Sequence, residues 1–151
     1  MTQELSVSDE EYEAAVESAM WFRLEFDRGQ APPKQLVRSV GPSMAMFLMY
    51  LIKTEDMARH QKQITEHGYC AFSNRLGLDL GLNAESVHDL RREAENRGLI
   101  HVWRDPMTEQ LYHIVDNDTV FDLIREDIRR NDTRMVNQIL EDRQQEDSED
   151  A

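Results

Sequence analysis

The apolar positions of this chain change period along its length, and each change marks an element. From Tyr12 through Ala15, Val16, Ala19 and Met20 to Phe26 they recur largely three or four apart, which predicts one helix with a single apolar stripe. Ser8-Asp9-Glu10-Glu11 opens that helix in a capping-box pattern, Ser8 as N-cap and Glu11 reaching back to the Ser8 N–H. Asp27-Arg28-Gly29 closes it, and Ala31-Pro32-Pro33 reads as a stiff linker. From Met44 to Ile52 polar positions vanish, so the helix opened by Val40-Gly41-Pro42-Ser43 is expected to be buried on most sides. Lys53 to Glu66 is polar and either extends this helix or loops away. Gly68 to Phe72 is short and aromatic, the pattern of a small strand that pairs with a later hairpin.

Helical spacing returns at Phe72, Leu76 and Leu80, predicting a second helix over Ser73–Leu80 with Gly81-Leu82 as its turn. Asn83 is placed to cap a third helix, which turns Val87, Leu90 and Ala94 inward and stops at Gly98. Leu99–Trp103 and Leu111–Val115 are β-rich runs joined by Arg104–Gln110 as a turn. Asp118 then caps a helix carrying Val120, Phe121, Ile124 and Ile128. Asn131-Asp132 reads as a break, and Met135, Val136, Ile139 and Leu140 continue an apolar stripe. Four segments follow: an acidic N-terminal helix and linker at 1–33, a domain at 34–116, C-terminal helices at 117–143, and an acidic tail at 144–151 whose composition argues for disorder.

Composition alters this picture in one respect. The 151 residues carry 30 acids against 17 bases, a net charge of −13. Residues 1–30 hold eight acids and two bases, residues 117–151 eleven and five, and residues 31–116 eleven and ten. The central domain is near neutral and the acidity lies in the arms. Only three of the bases are lysines, as in a GC-rich or salt-adapted source. A single cysteine, Cys70, excludes an internal disulfide and suits a reducing compartment. The acidic N-terminus lacks a signal-peptide pattern and the Met44–Ile52 run is too short for a membrane span, so a cytoplasmic protein is expected.

Ser73–Val115, with Leu80-Gly81-Leu82, the capping Asn83, Val87, Ala94 and Gly98-Leu99-Ile100 before a hairpin, resembles the winged helix-turn-helix proteins of prokaryotes, their viruses and plasmids. The likeness is nearest to replication-organiser and small-regulator types. It implies a mainly α fold with a small β-hairpin wing, flanked here by N- and C-terminal helices. It also implies double-stranded DNA as partner, in transcription regulation or replication initiation, with a homodimer formed through the terminal helices. The third helix would enter the major groove, presenting Ser86, His88 and Arg92 beside Asn83. Asn74 and Arg75 on the second helix, and Arg104 and Thr108 on the wing, would contact the backbone. The sequence departs from the family at Glu85 and Asp89, where carboxylates repel phosphates unless they accept from a cytosine amino group. Arg91 and Ala94 also stand where aliphatic residues are usual.

Arg91, Arg92 and Arg97 alternate with Glu93 and Glu95, and read equally as a solvated helix face or as phosphate contacts. No phosphate-cradling glycine loop, nucleophile elbow or H-E-x-x-H occurs, and acidic pairs such as Asp9-Glu10 lie on exposed arms where nothing shifts their pKa, so no enzyme activity is expected. His60, His67 and Cys70 supply one incomplete H-x-x-C, too little for tetrahedral zinc, and neither metal nor cofactor is expected. The second function the residues allow is an interaction module without DNA binding, its acidic face engaging a basic protein, as a nucleic-acid mimic of viral or regulatory origin does.

Overall fold

A computed structural model describes residues 8–26 and 32–149, with side chains at 8–21 and 32–147. Its elements are α1 (Asp9–Phe26), α2 (Lys34–Val40), α3 (Pro42–His60), β1 (Cys70–Ala71), α4 (Leu76–Leu80), α5 (Ala84–Asn96), β2 (Ile100–Arg104), β3 (Leu111–Val115), α6 (Asn117–Asn131) and α7 (Thr133–Glu149). The protein is mainly helical with one small antiparallel sheet of strand order β1-β3-β2. It divides into a central unit, residues 40–120, and a terminal unit, residues 1–39 with 121–151.

In the central unit α3 is the largest contributor to the core. Met44, Ala45, Phe47, Leu48, Leu51 and Ala58 are buried along one broad side. Within the Met44–Ile52 run only Met46 is exposed, so this stretch is enclosed on most sides as its composition suggests, and the exposed Met57 lies beyond it. Its polar second half stays helical to His60. Two-residue β1 pairs with β3 at Cys70↔His113 and Ala71↔Tyr112, the short strand expected beside the hairpin. Val115, beyond the reach of β1, would leave a buried N–H on that edge of β3. Glu55 of α3 fills the gap: the Val115 N–H is 3.1 Å from both of its carboxylate oxygens, and His113 Nδ1 lies 2.9 Å from Oε2. Both side chains are fully enclosed. Because a carboxylate only accepts, Nδ1 carries the proton and Nε2 is the ring atom left without a partner.

The expected second helix starts late. Ser73 Oγ accepts from Arg75 N at 3.2 Å and forms a turn, so α4 begins only at Leu76. Gly77 is required for packing: a Cβ there would meet the Leu82 carbonyl at 2.9 Å and Val87 Cγ2 at 3.4 Å. Asn83 caps α5 as its sequence position predicts, Oδ1 accepting from Ser86 N at 2.8 Å. At the other end Gly98 adopts φ 71°, the left-handed conformation glycine takes without a Cβ penalty, and Leu99 N donates to Ala94 O at 2.9 Å.

In the terminal unit the stripe Ala15, Val16, Ala19 and Met20 is fully buried, with α1 packed along α7. Ser8 caps α1 by accepting from Glu11 N at 3.2 Å, and its hydroxyl, rather than its N–H, meets the Glu11 carboxylate at 3.3 Å. The helix stop expected at Asp27-Arg28-Gly29 lies outside the described residues. Helix α2 has no expectation behind it, being too short for a periodic signal. It is held by its contacts, with Leu36 buried, Arg38 forked onto Asp127 and Gln35 Nε2 donating to Asp132 at 2.8 Å. The cap of α6 is Asp116, not Asp118: Asp116 Oδ1 accepts from Thr119 N at 3.1 Å. The break at Asn131-Asp132 falls between α6 and α7, and α7 continues to Glu149, past residue 143 where helix was expected to stop.

Candidate nucleic-acid interface

Helix α5 is thirteen residues long, and Ala94 is its one fully buried side chain. Val87, Leu90 and Arg91 are half-buried on the same side. The remaining surface, from Glu85 through His88, Asp89, Arg92 and Glu93 to Glu95 and Asn96, faces solvent. The wide solvent face follows from the sequence, since apolar residues occupy only every third or fourth position while charges fill the rest.

The site residues proposed from sequence divide by what already engages them. Arg92 and Arg104 are exposed and make no ion pair among the described residues. Arg75 is 70% exposed and 3.7 Å from Asp79, a long contact weakened further because Tyr50 donates its hydroxyl to the same carboxylate at 2.7 Å. Burial first, and the Asp79 charge with it, push the Tyr50 phenol above its ordinary value. Asn74 and Arg75 lie in the turn before α4 and not on the helix itself. Asn83 uses its side-chain oxygen in capping, and Ser86 is half-buried beside it. His88 Nδ1 is 2.8 Å from Arg91 Nη2. A guanidinium only donates, so His88 Nδ1 is the acceptor in this contact. Thr108, on the hairpin tip, accepts from Gln110 N at 3.3 Å and keeps its hydroxyl proton for another acceptor.

Around these groups stand the carboxylates the sequence marks as unfavourable. Glu85, Asp89, Glu93 and Glu95 are all exposed on α5, and only Glu93 meets a base, Arg97 at 3.6 Å. Two exposed apolar residues escaped sequence reasoning: Leu78 on α4, 74% exposed, and Met107 on the hairpin tip, 92% exposed. The hairpin tip is tightly built. Asp105 Oδ1 accepts from Met107 N, Asp105 O accepts from Glu109 N, and Glu109 has φ 61°. The turn expected over Arg104–Gln110 is present from Asp105, Arg104 itself ending β2, and that expectation gave no sign of an exposed methionine.

Among the described residues no group of three or more His, Cys, Asp or Glu is arranged to hold a metal ion. Cys70 is buried, with Sγ near the Thr54 and Ala71 carbonyls, while His60 and His67 are exposed. Burial, then the Glu55 charge, push the Cys70 thiol above its ordinary value, which keeps it protonated and a poor nucleophile. No helix among the described residues is long and apolar enough to cross a membrane. No protein-family model, curated protein or solved structure matches the chain.

Proposed function

We propose that the central unit is a winged helix-turn-helix module that binds double-stranded DNA, with α5 as the groove-reading helix and β2–β3 as the wing. The carrying observation is that α5 offers nearly its whole outer surface to solvent while its ends are firmly fixed by Asn83 and Gly98. A helix needed only for packing would bury more than one side chain completely. The order α3, β1, α4, α5, hairpin, with β1 on β3, fits the same reading. Arg92 would contact a base edge or phosphate, Arg75 and Arg104 phosphates, with Asn74, Asn83, Ser86, His88 and Thr108 as hydrogen-bonding groups around them. Glu85 and Asp89 would favour cytosine amino groups and disfavour general phosphate contact. The role is transcription regulation or replication initiation in a cytoplasmic setting. Two copies would act on a two-fold site, paired through the exposed sides of the terminal helices, where Trp21 is 48% exposed.

Three cations per module imply weak general affinity and a log K versus log salt slope of about −3 per chain. Fluorescence anisotropy with a randomised duplex pool at about 50 and about 200 mM salt tests this. Salt-sensitive, enrichable binding with a slope between about −3 and −6 is expected for one or two modules. No binding at the lower salt would overturn the reading. The four exposed carboxylates of α5 favour the second reading, a module whose acidic helix face engages a basic protein.

A further inference from the structure

We propose that the outer face of the sheet, centred on Trp103 and Tyr112, is a docking site for an extended arginine- or lysine-bearing segment of a protein partner. It lies on the hairpin but on the face opposite Arg104, and the inference stands whether or not α5 binds DNA.

The register fixes the surface. His101 pairs with Ile114 and Trp103 with Tyr112, so these four residues share one face, while Ile100, His113 and Val115 turn to the core. Trp103 is 42% exposed, His101 is exposed, and Tyr112 and Ile114 are half-exposed. The rings brace one another. Trp103 and Tyr112 have centroids 5.3 Å apart at 42°, and Tyr69 lies 6.4 Å from Trp103 at 53°. Tyr69 is itself held by a tight loop, its N–H donating to Thr65 Oγ1 at 2.9 Å and its carbonyl accepting from Thr65 N at 2.8 Å. A braced aromatic face loses little side-chain freedom when something lies on it.

Charge selects the occupant. The faces of aromatic rings carry negative potential and attract guanidinium and ammonium groups. One end of the face adds a carboxylate. There Asp116 lies 3.2 Å from His101 Nε2, and the Thr119 N–H, then His101, hold its carboxyl below the usual range, so it is ionised at neutral pH. At the other end strand alternation puts the cation Arg104 on the opposite side, level with Leu111, and Asp105, past the strand, has its Oδ1 taken by the Met107 N–H at 2.9 Å. The ring faces and the Asp116 carboxylate favour a cationic segment over an acidic one. A five-residue strand is about 15 Å long, room for about four or five residues of extended peptide.

The test uses a fluorescein-labelled nona-arginine peptide at about 150 mM salt, where exposed charge pairs are largely screened. In the full-length Trp21→Phe protein, Trp103 is the sole tryptophan, and its emission should be quenched as the peptide anisotropy rises. Trp103→Leu should weaken the complex about five- to tenfold, and nona-lysine should bind the parent less well than nona-arginine. Binding that leaves Trp103 emission unchanged would locate the peptide elsewhere and overturn the proposal. So would equal affinity of the parent and a folded Trp103→Leu, which would reduce the attraction to net charge, or no binding at all. Should Trp103→Leu fail to fold, the emission measurement decides alone.

Discussion

Three arginines of the terminal unit are held by acids distant along the chain, whereas Arg59 and Arg75 of the central unit meet acids three and four residues away. Arg92 and Arg104 of the central unit meet none among the described residues. Arg125 forks onto Glu17 with a shortest contact of 2.6 Å, Arg129 forks onto Glu13 at 2.6 Å, and Arg38 holds the buried Asp127 at 2.7 Å. In the central unit a fully buried hydrogen bond joins His113 to Glu55. Net charge per segment therefore misleads as a guide to binding. Arg38, Arg125 and Arg129 hold the terminal unit together, while Arg92 and Arg104 of the central unit stay exposed. The contrast also separates effects: perturbing the interior pair should be costly, perturbing the free arginines should leave stability alone.

The largest expected effect is on the buried pair. Glu55→Ala strands the Val115 N–H and the His113 Nδ1–H in the core and should cost about 3–5 kcal/mol, read as a lower urea midpoint. A loss below about 1 kcal/mol would mean water reaches the pair and the two units are alike. Next comes Gly77→Ala. Its Cβ meets backbone at 2.9 Å, which forces α4 away from Leu82 and should cost about 1–3 kcal/mol. An unchanged thermal midpoint would show that the α4–α5 turn is pliable and loosen its claim to position α5.

The surface pairs of the terminal unit should matter less. Arg125→Met with Arg129→Met removes two forks whose carboxylates are about half-exposed, and solvent screening limits the loss to about 1 kcal/mol in total. Their pH dependence has a definite sign. Hydrogen bonds from Arg129 and Arg125 hold Glu13 and Glu17 below the usual carboxylate pKa. The stabilisation is present above the unfolded-state carboxylate pKa and is lost as pH falls through the lower folded values. The double variant should therefore resist acid unfolding no worse than the parent at low pH while being less stable near neutrality. A constant difference across that range would remove these pairs from the account. The smallest stability effect belongs to Arg92→Ala, within about 0.5 kcal/mol, alongside a several-fold loss of duplex affinity if α5 reads DNA. Unchanged affinity would take α5 out of the interface.

The helices and hairpin of the central unit were legible because their signals are local. Asn83 before an amphipathic run, Gly98 after it, and two β-rich runs separated by Asp105-Pro106 need only neighbouring residues to act. Asp116 displaced Asp118 as a cap because both positions offer a carboxylate before the same helix, and only backbone geometry chooses between them. The roles of Arg75 and Asn74 shifted because Ser73 Oγ makes a turn that helical spacing does not encode. Helix α2 was illegible, since seven residues carry no period and its stability comes from Asp127 and Asp132 far along the chain.

By itself, then, the sequence determined where most helices and the hairpin lie, how charge is apportioned, and which residues of α5 face outward. Those depend on periodicity, caps and turn chemistry, all of short range. Tertiary structure alone decided that Glu55 completes the edge of β3, that the acids of α1 neutralise the arginines of α6, and that Trp103, Tyr112 and Tyr69 brace one another. Each joins residues from nine to more than a hundred positions apart, where desolvation and strand register, not local propensity, set what is worth pairing.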